Sequence, residues 1–407
     1  ILEQADETDA VFGELYSWYL RNPEYRSRVQ KLVQSAFAGK PEDIISQSVA
    51  KALYGEVSPY SATRLERFAA CAFAHFLQYG MKLTERVEYE FKPMDMGNVM
   101  HEALESFAEE VRKRGMKWTE LTEQERNEIA DRCLDNIVAD YGNTVLKSSA
   151  RNEYMIERTR RILRRTVWAL QKQLEQGEFQ PEGFEVTFGG GRIDRVDIME
   201  DQNKVYVKVI DYKTGNTSFD LVYLYHGLQL QLMIYLDGAL RVEQKKYPDK
   251  EIIPAGVFYY NIKDPMIQEK IDADVEAVSA GLMKELKMNG LVQADPELVY
   301  RMDSSLGSIP VAFNKDGSFR KNSSVADRTQ FAVLGRYVRT KIEKIRSSIL
   351  EGDAEVSPYE LGKKNACTYC PYMTVCGFDR RLSGYEFRRL KNFSDEELWK
   401  AFDREAE

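Results

Sequence analysis

The chain has 407 residues, 43% of them hydrophobic, with 57 Lys and Arg against 65 Asp and Glu and a formal net charge of −8. That length allows two or three domains, or one with large additions, and the acidic balance argues against a surface coated for nucleic acid without excluding a local basic channel. No run approaches the ~18 apolar residues of a membrane helix, and no signal-peptide pattern is present, so no membrane role and a cytoplasmic location are expected.

Residues 1–55 read as helices, with Leu15, Trp18 and Tyr19, then Val29, Leu32 and Val33, at helical spacing. Packing without chemistry is the reading for this segment, and a start at Ile1 suggests a piece of something longer. Pro59 breaks the chain, Ser61 is placed to cap a helix over Ala62 to Tyr79, and Cys71 lies inside it. Val87 to Phe91 alternates like a short strand. Gly97-Asn98-Val99-Met100-His101 leads into a helix through Leu104, Phe107 and Val111, with His101 near its start and Gly97 allowing close approach of the backbone.

Residues 117–179 look helical and highly charged, with Glu120 to Tyr141 and Tyr154 to Gln176 as separate helices. Arg158, Arg160, Arg161, Arg164 and Arg165 form either a solvated basic face or one that tracks phosphates. The period then changes to two. Phe184 to Phe188, Arg192 to Ile198 and Val205 to Lys213 read as successive strands, and Phe219 to Leu240 as a helix. Ile252 to Ile262 is a further strand. Residues 264–300 return to helix, chiefly Val275 to Met288, and Asp316-Gly317 marks a hairpin turn. Thr329 to Leu350 is a long helix, followed by Cys367, Cys370 and Cys376, a basic helix from Arg380 to Lys391, and a last acidic helix capped by Ser394.

The chemistry gathers where the third strand ends, at Asp211-Tyr212-Lys213-Thr214-Gly215. Alternation puts Asp211 and Lys213 on one face. Asp194 lies on the strand before, and two carboxylates on neighbouring strands can share a hard cation such as Mg²⁺ or Mn²⁺. The Tyr212 carbonyl can add an oxygen and His101 an imidazole. Lys213 then faces an attacking water and a phosphate oxygen, as phosphodiester hydrolysis requires. The five cysteines are few and odd in number, which favours metal ligation over a disulfide framework, and Cys133 stands apart as a small buried residue. A metal joining Cys71 to the downstream trio would close a very long loop, and four cysteines suit Zn²⁺ as well as an iron–sulfur cluster.

The ordered series Gly-x-x-x-His101, Glu185, Gly-x-x-Asp194, Asp211-Tyr-Lys213 and Gln231-x-x-x-Tyr235 resembles the RecB-like branch of the PD-(D/E)xK nuclease superfamily. One upstream cysteine with Cys-x2-Cys-x5-Cys downstream, and Ser61-Ala-Thr-Arg-Leu-Glu66 before Cys71, resemble the nuclease domain of the B subunit in AddAB-type helicase–nucleases. The resemblance covers roughly residues 55–380 and departs at Ala72, where the family usually has proline. It implies an α/β fold with a central mixed sheet flanked by helices, large helical additions and a cysteine-ligated cluster. The organisation it implies is a helical segment over 1–55, the tail of a helicase-like region. A nuclease domain over 56–380 with a helical insertion near 117–179 follows, then a helical tail over 381–407.

By the same resemblance His101, Asp194, Asp211 and the Tyr212 carbonyl bind Mg²⁺, and Lys213 orients the attacking water. Gln231 and Tyr235 position the strand or the DNA backbone, and Glu185 stands behind the ligands. Cys71, Cys367, Cys370 and Cys376 hold a [4Fe–4S] cluster. The implied activity is exonucleolytic cleavage of single-stranded DNA, in double-strand break repair by recombination, beside an AddA helicase–nuclease partner. Two rival readings are a DNA-binding scaffold that has lost catalysis and a stand-alone CRISPR-associated nuclease, the latter disfavoured by the helical insertion and the chain's length.

Overall fold

The period-two stretches build one mixed sheet, and nearly every helix is placed by the face of that sheet it covers. A computed structural model describes residues 10–37, 44–55, 61–84, 93–140, 149–189, 191–267, 274–382 and 384–406; Pro59 and the strand expected over Val87 to Phe91 lie outside them. The chain begins with helices α1 (Ala10–Arg21), α2 (Pro23–Phe37) and α3 (Gln47–Tyr54). Helix α4 (Ala62–Ala70) starts on Ser61, whose hydroxyl accepts the Arg64 amide, as expected.

That helix does not continue to Tyr79. Cys71 is extended (φ −166°, ψ 117°), and the Phe73 amide leaves the helical ladder to donate to the carbonyl of Glu355, 3.0 Å away. The chain resumes as the short α5 (Ala72–His75) and a π-helical turn over Phe76–Gly80. Helix α6 (Pro93–Lys113) begins earlier than expected, so His101 lies about two turns inside it and not at its start. A Cβ at Gly97 would meet Thr214 Oγ1 at 3.4 Å, an ordinary contact, so the expected need for glycine there is not found. The charged stretch forms a 3₁₀ turn over Trp118–Glu120, then α7 (Glu123–Asp140) and α8 (Ala150–Glu175).

Three strands follow, β1 (Gln180–Phe188), β2 (Gly191–Asp201) and β3 (Lys204–Lys213). The helix expected over Phe219 to Leu240 is two, α9 (Leu221–Tyr225) and α10 (Gln231–Lys246), parted by a turn in which Gly227 takes φ +78°. Strand β4 (Glu251–Asn261) leads to α11 (Val275–Glu285). The helical return expected to residue 300 is interrupted by β5 (Asn289–Gln293), after which come α12 (Pro296–Met302) and β6 (Val325–Ala326). The Asp316-Gly317 hairpin reduces to one bridge, Phe313 to Phe319.

Helix α13 (Arg328–Glu351) is capped by Asp327 and Gln330 reciprocally and ends on left-handed Gly352. Beyond it lie β7 (Tyr359–Leu361), β8 (Lys364–Asn365), α14 (Met373–Cys376), β9 (Arg388–Arg389) and α15 (Asp395–Ala406). The basic helix expected from Arg380 to Lys391 is not formed among the described residues. Arg388 and Arg389 instead pair with Tyr359 and Glu360, as β9 joins β7 and β8 in a small sheet. At the last helix the Glu397 carboxylate reaches back to the Ser394 amide, 3.1 Å away.

The main sheet runs β1-β2-β3-β4-β5-β6, parallel only between β3 and β4 and between β5 and β6. On one face Tyr206, Ile210, Tyr212, Phe258 and Tyr260 pack with Leu104, Phe107, Leu134 and Leu163 from α6, α7 and α8. On the other, Val205, Val207, Val209 and Val257 pack with Leu65, Leu232, Leu334 and Phe402 from α4, α10, α13 and α15. Ala50 and Tyr54 of α3 belong to this second core, so it reaches past both residue 55 and residue 380. Strand β5 passes so close to β4 that a Cβ on Gly290 would lie 1.9 Å from the Val257 carbonyl oxygen. Among the described residues no helix is long and apolar enough to cross a membrane.

Candidate metal and catalytic site

The buried strand β3 alternates without a break. Tyr206, Lys208, Ile210 and Tyr212 face the α6–α8 layer, while Val205, Val207, Val209, Asp211 and Lys213 face the α10 side. Asp211 and Lys213 therefore share a face, with Lys213 Nζ 2.6 Å from Asp211 Oδ2. Lys213 also donates to Gln231 Oε1 at 2.8 Å, and Gln231 Nε2 donates to the Tyr235 hydroxyl at 2.9 Å. The Tyr259 ring on β4 lies 5.4 Å from the ammonium. Gln231 is the first residue of α10 and Tyr235 is one turn further, so both project toward the strand end.

Asp194 on β2 meets this group from the other side, its Oδ2 accepting the Tyr212 amide at 2.7 Å. His101 Nδ1 comes across from α6 to 3.3 Å from the same oxygen and to 3.9 Å from Glu185 Oε1. One ligand atom from each of His101, Glu185 and Asp194 lies within 4.8 Å of the others, the only such metal-capable trio among the described residues. Glu185, expected to stand behind the ligands, joins them here, while Asp211 is turned onto Lys213.

A bend in β1 brings Glu185 in. Its φ is +50°, a left-handed value uncommon for a side chain in a strand. Phe184 before it packs into the α6–α8 core, and Val186 after it into the opposite core. The bend thus switches faces and leaves the Glu185 carboxylate over the sheet end. Arg192 pairs with its second oxygen. Sequence alternation alone could not signal that bend.

Crowded acids out of water resist ionising together. Burial, then the neighbouring Asp194 charge, push Glu185 up to about 7, opposed by Arg192. The same two causes raise Asp211, opposed by Lys213. Burial pulls His101 down, but its hydrogen bond to Asp194 and the surrounding carboxylates leave it above the ordinary histidine value. An oxygen-rich set with one imidazole, short of positive charge, is the donor chemistry of a hard divalent cation. A bound cation there would supply charge stabilisation at a phosphoryl group and ease deprotonation of an attacking water.

Beneath the site, on the α6–α8 face, sits a buried ion triad. Arg195 reaches Asp197 through Nε at 2.5 Å and Nη2 at 2.9 Å, and Lys208 Nζ lies 3.0 Å from Asp197 Oδ2. Arg195 follows Asp194 in β2 and lies over the Trp118 and Phe184 rings, so the residue next to the metal acid is locked from below.

The four candidate cysteines lie apart from this site. Cys71, Cys367, Cys370 and Cys376 line one small cavity with Phe73, Tyr372 and Phe378, although their sulfurs are not as tightly grouped as the His101 trio. The Asn365 side chain accepts the Cys367 and Thr368 amides, and Cys376 Sγ accepts the Phe378 amide at 3.5 Å. Burial and the neighbouring thiols push Cys367 up to about 12, and burial raises Cys71. Thiols so placed become thiolates only beside a cation, which suits a metal or cluster. Cys133 is buried in α7 among apolar residues, as expected. His75 is structural: it is fully buried among the rings of Tyr54, Phe68 and Tyr79 and accepts from Arg64 at 3.2 Å.

Comparison with known proteins agrees with this geometry. Residues 59–377 match the family model described as the PD-(D/E)XK nuclease superfamily. A Lachnoclostridium phytofermentans protein, named as the B subunit of an ATP-dependent helicase/deoxyribonuclease, is 41% identical over 98% of this chain and 36% of its own length. Proteins of the same name from Thermoanaerobacter sp. and Desulforamulus reducens are each 34% identical, over 98% and 96% of this chain and 37% and 36% of theirs. The chain thus spans a little over a third of the length of the curated relatives it matches. With the acid–x–lysine strand end, the adjoining acid and the mixed sheet all in place, the chain belongs to the PD-(D/E)XK nuclease superfamily.

Proposed function

We propose that the chain is a metal-dependent deoxyribonuclease that hydrolyses phosphodiester bonds in single-stranded DNA. The observation that carries this is the meeting of His101, Glu185 and Asp194 with the Asp211–Lys213 pair at one sheet end. His101, Asp194, Asp211 and the Tyr212 carbonyl are the assigned ligands of Mg²⁺, which Mn²⁺ can replace, and Glu185 is added to them. Lys213 orients the attacking water and offsets charge developing on the phosphoryl oxygens. Gln231 holds Lys213, and Tyr235 holds Gln231.

The relatives' name supports a role beside a partner helicase of the AddA kind, with exonucleolytic processing of double-strand breaks in the cytoplasm. In this reading residues 56–380 form the nuclease body, residues 1–55 and 381–407 are its flanks, and Cys71, Cys367, Cys370 and Cys376 hold a [4Fe–4S] cluster, with Zn²⁺ as the alternative. Such a group would tie the two ends of the nuclease body together.

The test is degradation of end-labelled single-stranded DNA with Mg²⁺ or Mn²⁺ by the wild type, Asp211→Ala and Lys213→Ala. Cleavage by the wild type and its loss in both folded variants is the expected result. Binding without cleavage under every metal would turn the reading into that of a DNA-binding scaffold. Iron, sulfide and zinc analysis of anaerobically prepared protein separates the two cysteine-bound groups.

A further inference from the structure

Helix α10 begins at Gln231, and its first amides need acceptors that the helix cannot supply. No side chain of its own N-cap residue, Leu230, can fill that role. A carboxylate from a distant element does so. Glu66 Oε1 on α4 accepts the Leu230 amide at 2.7 Å and the Gln231 amide at 2.9 Å, across 164 and 165 residues of sequence. Glu66 touches no ligand of the metal site in this arrangement; it holds the backbone of the residue that holds Lys213.

We propose that Glu66 is a positioning residue for the reaction, fixing the start of α10 so that Gln231 Oε1 keeps the Lys213 ammonium beside Asp211. A negative group at a helix N-terminus is favoured by the exposed amides and the helix dipole. Here the two bonds also decide where the Gln231 side chain begins. The turn before α10 has few alternatives for holding that point: α9 ends at Tyr225, and Gly227 takes a left-handed φ of +78°. If the amides of Leu230 and Gln231 lose Glu66, the first turn of α10 can fray, Gln231 drifts, and Lys213 loses the acceptor at 2.8 Å that opposes its swing away from the strand end. Displacement of a catalytic group by about 1 Å can cost on the order of a hundredfold in rate.

The inference rests on the nuclease reading for its kinetic arm and stands without it for its second arm. Three variants of the intact protein decide it. Glu66→Ala removes the acceptor, Glu66→Asp withdraws it by one methylene, and Glu66→Gln keeps an oxygen at the same reach. The expected result is a fall in kcat of about tenfold to a hundredfold in E66A and E66D with KM for DNA unchanged, and recovery of most of kcat in E66Q. Alongside, limited acylation of lysine amines read by peptide mass spectrometry is expected to show Lys213 labelled faster in E66A and E66D than in the wild type and E66Q. Should E66A fail to fold, E66D against E66Q decides the same question. Wild-type kcat and Lys213 labelling in E66A or E66D overturns the inference. So does a loss in E66Q equal to that in the others, which would assign Glu66 to the fold alone. If the wild type itself cleaves no DNA, the nuclease reading fails while the labelling arm still tests the placement of Lys213.

Discussion

Replacing Asp197 with Asn tests the charge arrangement beneath the site. Asp197 is fully buried and, among the described residues, is the only acid touching Arg195 and Lys208, which are themselves almost fully buried. The substitution keeps the shape and leaves two cations facing each other. Breaking a buried pair in this way costs about 3–5 kcal/mol. A ceiling follows from lysine chemistry. Burial already pulls Lys208 below the usual lysine range, with Asp197 opposing that pull. Without Asp197, Lys208 escapes by losing its proton on folding, at a cost near 4.6 kcal/mol at pH 7, from ~1.36 kcal/mol per unit between pH 7 and an unfolded value of ~10.4. In the variant the unfolded chain then carries one more proton than the folded one, so stability rises with pH. Between pH 7 and pH 9 the ceiling falls by about 2.7 kcal/mol. Urea unfolding of wild type and D197N at both pH values measures this, with the expectation of a loss of about 3–5 kcal/mol at pH 7 that shrinks at pH 9. A loss under about 1 kcal/mol, or one that is the same at both pH values, would refute the reasoning.

Asp194→Asn removes the charge that helps raise Glu185 and Asp211, yet its amide oxygen can still accept from Tyr212. The metal-free thermal midpoint should hold or rise, and the gain on adding Mg²⁺, about 2.7 kcal/mol at a hundred times Kd in the wild type, should vanish. His75 is held neutral by burial and then by Arg64, down to about 3 from 6.5. A histidine so depressed contributes stability above the unfolded value and loses it as pH falls toward the folded one, so between pH 7.5 and pH 5 the wild type should lose ~2 kcal/mol more than His75→Gln in urea unfolding. Gly290→Ala places a Cβ against the Val257 carbonyl and should lower the unfolding midpoint by a free energy of about 1–3 kcal/mol, with equal midpoints speaking against the observed approach of β5 to β4.

The acids and the lysine were legible because strands β2 and β3 carry their own local signal. Alternation fixes which residues share a face, and the Asp211-x-Lys213 spacing survives into the structure unchanged. The errors fall where a distant partner decides. Helix α4 stops at Cys71 because the Phe73 amide is taken by Glu355, and α10 starts at Gln231 because Glu66 takes its first amides. Neither event has a local sequence cause. Strand β5 is five residues long with glycine second, too short for periodicity to register, and Asn289 is spent accepting the Phe219 amide. Glu185 was legible as an acid on the right strand, but its place among the ligands depends on a left-handed residue that alternation does not encode. Glu66 stood in the Ser61 to Glu66 segment that marked the resemblance, without a role that spacing could supply.

Helix α4 also shows how two centres far apart in sequence come to share a support. It is pinned at its start by Ser61, presents Glu66 to the first amides of α10, and ends at Cys71 on the wall of the cysteine cavity. Only about 7.5 Å of helix rise separates Glu66 from Cys71. Arg388 of β9 donates to the Ala69 carbonyl, so the small sheet that leads into Cys367 also grips the end of this helix. A helix of nine residues has little stability alone, and its order is borrowed from what holds its two ends. Whatever fixes Cys71 therefore stiffens the element that carries Glu66, and Glu66 sets the start of the helix that restrains Lys213. The cysteine cavity and the acid cluster lie at different places on the molecule, but the second depends on a scaffold that the first completes.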